Sequence, residues 1–326
     1  MHSIGTPWMW GIFTVVVLMM LAIDLLLVGG GKRHRVSVKE AAVWSAIWVS
    51  VSLLFAAGLW WHLDGIAGPA AAREASLEFL TGYLIEKSLA VDNVFLWLML
   101  FSAFGVPSDL QRRVLIYGVI GAIVMRTVMI FAGAALIARF HWILYFFGVF
   151  LVYTGIKMFW FAEEELDLDK NPVVKYLRRH VNITSRFHGE RFFVVENGVR
   201  CATPLFLALV MVELTDLVFA VDSIPAVFAI TTDPFVVLTS NVFAILGLRA
   251  MYFLLGDAAD RFSLLKYGLA MVLMFIGVKM LLIDVYKIPV GFSLAVVTTL
   301  IGSSMWLSLK HDAKHRAEAE SLTPES

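Results

Sequence analysis

The sequence predicts an all-α polytopic membrane protein of about nine transmembrane helices, built around an inverted repeat of three helices each. Three observations carry this prediction. The 326 residues are 60% hydrophobic and only 16% charged, with a mean hydropathy of +0.82. Apolar runs of about 20 residues recur, each long enough to cross roughly 30 Å of hydrocarbon. Two of these runs share a polar pattern, Glu86 to Ala90-Val91-Asp92 and Asp216 to Ala220-Val221-Asp222, with a carboxylate six residues before the Asp in both.

The spans are placed at 8–29, 41–62, 77–104, 113–138, 142–162, 202–230, 235–256, 264–284 and 289–309. Alternate connections differ sharply in charge. Eighteen Lys and Arg fall on one side, against Arg73, Arg139 and Lys287 on the other. The positive-inside rule then puts the N-terminus outside and the C-terminus in the cytoplasm. One span more or fewer would scramble the asymmetry, so the charges support an odd number. The opening Met1-His2-Ser3-Ile4-Gly5 lacks a basic region and a small-residue cleavage site, so the first run reads as a retained span. A formal net charge of zero points to no nucleic-acid partner. The single Cys201 excludes an intrachain disulfide framework and a multi-cysteine metal site.

Internal similarity divides the chain. Residues 1–76 form two N-terminal helices, 77–162 a first three-helix repeat, 163–201 a cytoplasmic loop, 202–284 a second repeat, and 285–326 a last helix and tail. Asp92 matches Asp222; one span later Arg126 matches Arg249; one span further Tyr145, Gly155, Lys157 and Met158 match Tyr267, Gly277, Lys279 and Met280. Three spans per copy make the second enter the membrane from the opposite face, a design common in secondary transporters with midplane sites. The loop opens with Glu163-Glu164-Glu165, breaks at Asn171-Pro172 and continues to Arg178-Arg179-His180, which suggests one surface helix. The polar tail from His311 is expected to be disordered.

Charged residues within spans are costly and mark function by default. The acids are Asp24, Glu86, Asp92, Glu213, Asp216 and Asp222; the bases are Lys87, Arg126, Lys157, Arg249 and Lys279. Acids six residues apart lie about 120° apart on a straight helix. One shared site would need the helix unwound, with Pro225 as a break in the second copy and Gly82 a looser point in the first. Glu86, Asp92, Asn93, Glu213, Asp216 and Asp222 are the candidate ligands, with Asp24, Arg126, Asn241 and Arg249 as charge partners or gate. Such hard oxygen donors suit Mg2+, Ca2+ and Mn2+. Facing carboxylates hold protons more tightly, so a cation would displace them and the two could be exchanged. The competing expectation is that the acids pair with Arg126 and Arg249 only to fix packing. Lys157 and Lys279 are expected to snorkel to the interface. His62 and His141 sit at segment edges beside Trp and read as interfacial.

The stretches Gly82-Tyr83-Leu84-Ile85-Glu86-Lys87-Ser88-Leu89-Ala90-Val91-Asp92-Asn93 and Phe219-Ala220-Val221-Asp222-Ser223-Ile224-Pro225 resemble the signature motifs of the TerC family of integral membrane proteins. So does Leu238-Thr239-Ser240-Asn241 leading to Gly247-Leu248-Arg249. Ala22-Ile23-Asp24-Leu25 and the total length are most similar to its Alx-type branch of manganese exporters. The resemblance implies a polytopic bacterial inner-membrane protein exporting Mn2+. No resident cofactor is expected, and protons, from the facing carboxylates, and the bilayer are the other expected partners. No enzymatic activity is expected: an intramembrane aspartyl protease would carry a Gly-x-Gly-Asp motif, and Leu-Ala-Val and Phe-Ala-Val precede the two aspartates here. The alternative is a membrane scaffold or a stress-response (tellurite or pH) subunit whose buried charges are structural.

Overall fold

The computed structural model describes residues 3–27, 37–140, 142–160, 172–184, 186–196, 198–256 and 264–322. The described residues form helices α1 (Pro7–Leu27), α2 (Val38–Ala67), α3 (Pro69–Ala103), α4 (Ser108–Arg139), α5 (Ile143–Trp160) and α6 (Pro172–His180). A hairpin of β1 (Phe193–Glu196) and β2 (Val199–Ala202) follows. Then come α7 (Pro204–Phe228), α8 (Pro234–Ile245), α9 (Leu248–Leu255), α10 (Leu265–Leu281) and α11 (Val290–Leu322).

Local chemistry sets the starts of these helices. Ser37 caps α2 by accepting the Glu40 amide at 3.2 Å, and Asp233 caps α8 by accepting the Phe235 amide at 2.8 Å. Proline opens α3, α7 and α8, where its missing N–H costs nothing. Gly68, at φ +86°, ends α2 and begins α3.

Seven of the described helical segments are long and apolar enough to cross a membrane, with α8 and α9 together making one of them. Every expected span falls on a helix. The two that miss that mark are α3, interrupted by Glu78, Glu86, Lys87 and Asp92, and α10, with 17 residues. Large apolar side chains lie exposed along α1, α2, α4, α5 and α11, as lipid-facing surfaces require. In contrast, every residue of α8 from Phe235 to Ile245 is buried. Helix α3 lies against α2, α7, α8, α9 and α11, and α4 lies against α7 and α8.

Helices α5 and α10 run antiparallel in close contact. A Cβ placed on Gly277 would come within 2.8 Å of the Gly148 carbonyl, and one on Gly155 within 2.8 Å of the Ala270 carbonyl. In the repeat alignment Gly155 matches Gly277 and Gly148 matches Ala270. The two contacts are therefore reciprocal, as contacts across a two-fold axis are.

Three expectations need correction. Neither α3 nor α7 unwinds between its acids; Pro225 sits within the last turn of α7 without interrupting it. The discontinuity lies instead between α8 and α9, where Gly247 takes φ +90° against Trp48. Gly82 does not loosen α3 but lets it approach α8, because a Cβ there would lie 2.9 Å from Ser240 Oγ. The tail is helical to Leu322; its Ala, Glu, Lys and Arg residues favour helix. The loop contains its surface helix, α6, and also the hairpin. Glu163-Glu164-Glu165, Asn171 and His141 lie outside the described residues.

Candidate cation site

The centre of the molecule is an arginine held between two carboxylates. Helix α4 supplies Arg126, α3 supplies Glu86 and Asn93, α7 supplies Asp216 and Ser223, and α8 supplies Asn241; all six are buried. Arg126 grips Asp216 with two nitrogens, Nε to Oδ2 at 3.2 Å and Nη2 to Oδ1 at 3.0 Å. Its Nη1 donates to Glu86 Oε2 at 2.5 Å and to Ser223 Oγ at 3.2 Å, and lies 3.5 Å from Asn241 Oδ1. The Asn241 amide donates to Glu86 Oε1 at 2.6 Å, and that of Asn93 to Asp216 Oδ1 at 3.2 Å. Planar guanidinium suits this forked recognition.

Charge and donor chemistry both bear on what this centre can hold. With both carboxylates ionised, two negative charges face one positive charge, so the buried cluster carries one net negative charge. Such a charge calls for a proton or a second cation. All the acceptors are hard oxygens, the kind that Mg2+, Ca2+ and Mn2+ take. Asn93 Oδ1 is buried with no hydrogen-bond partner among the described residues, an acceptor left over in the site. Yet among the described residues no three His, Cys, Asp or Glu side chains are grouped closely enough to hold an ion. Arg126 occupies the space between the two carboxylates, so a divalent cation and the guanidinium compete for the same oxygens.

The structure thus brings together Glu86, Asn93, Asp216, Arg126 and Asn241, and separates the remaining candidates. Asp222 turns away from the centre and accepts from Thr154 Oγ1 on α5 at 3.3 Å, within the field of Lys157. This is the 120° divergence expected of a straight helix. Half-buried Glu213 packs into the notch of α4 at Gly121, where a Cβ would lie 2.0 Å from its Oε1. The side chain of Asp92 lies outside the described residues. Asp24 and Arg249 form a separate buried pair between α1 and α9, Nη1 to Oδ2 at 2.7 Å.

Several groups were given no place at the site by the sequence. Lys87, beside Glu86, is half-buried and donates to the Ala244 carbonyl at 3.3 Å, close to the α8–α9 break. Lys279 does not snorkel; it is buried and faces Glu78, which lies beside Thr231. Thr154 could have been found from its place one residue before the repeated Gly155, facing the second copy. Ser223, a hydroxyl expected in the cluster with Ser88 and Thr215, is the repeat mate of Asn93 and does reach the centre. His62 meets Trp8 edge-on at 4.7 Å.

Comparison with known proteins follows the same lines. Residues 71–316 match the model of the integral membrane protein TerC family. Proteins of Photorhabdus laumondii and Escherichia coli K12, both named "Putative membrane-bound redox modulator Alx", are 58% identical to the chain. They align over 309 and 316 residues, covering 95% and 96% of this chain and 97% and 98% of their own. A Myxococcus xanthus protein named uncharacterized membrane protein STKORF319 is 50% identical over 307 residues, 94% of this chain and 93% of its own. No solved structure matches the chain.

Proposed function

The chain belongs to the TerC family of integral membrane proteins, and from that premise we propose that it is a secondary transporter exporting a divalent cation, Mn2+ foremost, in exchange for protons. The observation that carries this reading is the buried Glu86–Arg126–Asp216 centre, with its excess negative charge and its unpartnered Asn93 oxygen. Oxygen donors suit Mg2+ and Ca2+ as well; the preference for Mn2+ rests on the family resemblance. Glu86, Asn93 and Asp216 are ligands in this reading. Asp92, Glu213 and Asp222 are ligands or proton carriers on the path to and from them. No enzymatic reaction is assigned.

The architecture proposed with it is nine spans in a bacterial inner membrane, N-terminus outside and C-terminus cytoplasmic, with an inverted repeat. Two reciprocal contacts support the repeat. Asn93 bonds Asp216 while its mate Ser223 lies beside Glu86, the mate of Asp216. The α5–α10 glycines cross in the same manner.

Saturation of Arg126 favours a second reading, in which the charges only fix packing and the chain is a scaffold or stress-response subunit. The relatives' name, redox modulator, fits either reading. With one cysteine in the chain, neither reading routes redox modulation through an intrachain dithiol.

Proteoliposomes loaded with Mn2+, Mg2+ or Ca2+, with and without a pH gradient, separate the readings. Transport of Mn2+ is expected, and Asp216→Asn or Asp222→Asn should lower it ~10- to 100-fold, the scale of a lost charged partner, with insertion intact. Deleting 165–195 should leave most transport in place. Absence of flux in the unsubstituted protein would sink the transporter reading, and undiminished flux in both Asn variants would sink the assignment of its site to these carboxylates.

A further inference from the structure

Arg126 and Arg249 occupy matching places in the two repeats, yet they are bound very differently. Arg126 uses Nε, Nη1 and Nη2 on partners. Arg249 is 1% exposed and, among the described residues, bonds only through Nη1, to the Asp24 carbonyl at 3.1 Å and its Oδ2 at 2.7 Å. Its Nε and Nη2 are buried with no hydrogen-bond partner among the described residues, and so is Asp24 Oδ1. A buried guanidinium with two idle nitrogens is costly to keep. A pair serving stability alone would be expected to use them.

The backbone explains how the two came to differ. Helix α4 runs unbroken through Arg126. Its counterpart is cut at Leu246–Gly247, two residues before Arg249, with Gly247 at φ +90°. On one side of the cut Asn241 of α8 holds Glu86. On the other, the eight-residue α9 carries Arg249 to Asp24. The cut sits where a hinge would have to be for Arg249 to move relative to the centre.

We propose that Arg249 is a second, exchangeable counter-cation for the Glu86–Asp216 centre, parked on Asp24 and delivered by rotation of α9 about the Leu246–Gly247 break. Two-fold related copies make the two arginines alternatives: one occupies the centre from α4, the other can reach it from the opposite repeat. A transported cation then meets the carboxylates in the interval when neither guanidinium fills the space between them. The role in transport rests on the reading above; the exchange itself does not require a metal.

A double-variant cycle in the detergent-purified full chain, kept in chelator, tests the exchange without any metal. Arg126 and Arg249 share no partner in this structure, so Arg126→Gln and Arg249→Gln should have additive effects on the unfolding temperature if each stays where it is. Exchange makes them synergistic. Arg126→Gln alone is then partly rescued by Arg249, and the double variant falls by clearly more than the two single shifts together. Arg126→Lys, which keeps a charge but loses the two-nitrogen grip on Asp216, replaces Arg126→Gln if that variant does not accumulate. Additivity overturns the proposal. A second arm measures Mn2+ binding by calorimetry. Asp24→Asn releases Arg249 to compete and should raise the Mn2+ Kd about tenfold, within the ordinary range of coupling between sites. Arg249→Gln removes the competitor and should leave the Kd unchanged or lower it, as should the Asp24→Asn/Arg249→Gln double variant. Kd shifts of the same sign in Asp24→Asn and Arg249→Gln also overturn it, because a purely structural pair gives that result. If the unsubstituted protein binds no Mn2+, the cation reading falls and the stability cycle alone decides the exchange.

Discussion

Glu86 has both of its oxygens occupied, Oε2 by Arg126 and Oε1 by the Asn241 amide. Replacing Asn241 with Leu removes one donor from a buried carboxylate, an expected cost of ~1–3 kcal/mol. Thermal unfolding of the purified variant measures it, and an unchanged midpoint would show that Glu86 needs no second donor. Gly121→Ala acts on Glu213 in a different way, because the added methyl would overlap its Oε1. That variant should match Glu213→Gln in transport assays; normal flux in Gly121→Ala beside impaired flux in Glu213→Gln would show that the pose of Glu213 against α4 is immaterial. The acids and arginines were legible in the sequence because a charge in an apolar run has few innocuous explanations. Their grouping was not legible. Spacing gives the angle between Asp216 and Asp222 but not which of them faces Arg126, and that depends on how α4 and α5 pack against α7.

Among the elements, the α8–α9 break is the most exposed to a single substitution. Gly247→Ala puts a side chain at φ +90° and a Cβ 2.7 Å from Trp48 Cδ1. Backbone strain alone should cost ~1–3 kcal/mol, with the clash adding to it. Trp48→Ala should remove the contacts with the ring but not that with Cβ at 3.0 Å, nor the strain, so Gly247→Ala/Trp48→Ala should remain less stable than Trp48→Ala alone by at least that amount. Equal stability of these two would mean that Gly247 is required only for room. The helices themselves were readable from run length and hydropathy, while this break was not, since a lone glycine in an apolar run has no distinct hydropathy. The β1–β2 hairpin did leave a signal: Phe193-Val194-Val195 followed by Asn197-Gly198, a common hairpin turn pair. The surrounding polar residues of the loop masked it. The helical tail was misread for the opposite reason, because polarity was taken as disorder in a stretch rich in helix-favouring Ala, Glu, Lys and Arg.

For the whole molecule, the open question is how it sits in the membrane. Its lipid-facing belts of exposed apolar side chains have no direction of their own, since a bilayer core is alike from both sides. Direction comes from the loops, where eighteen Lys and Arg face three. Exposed Glu196, at the hairpin, falls on the basic side of this division, and exposed Asp64, near the end of α2, on the other. In a Cys201→Ser background, Asp64→Cys and Glu196→Cys therefore report on opposite faces. A membrane-impermeant maleimide applied to intact spheroplasts should label Asp64→Cys at once and Glu196→Cys only after permeabilisation. The reverse pattern would invert the whole assignment and make export, as argued here, into import. Labelling of both positions in intact cells would mean that the number of crossings between them is even. The sequence places three spans between residues 64 and 196, at 77–104, 113–138 and 142–162, so that result would remove one of them. The first to fall would be the charged helix α3, which carries Glu86 and Asn93. A re-entrant α3 would leave the arginine centre intact but open it to one side only, and the two-fold exchange of Arg126 and Arg249 would lose its geometric basis.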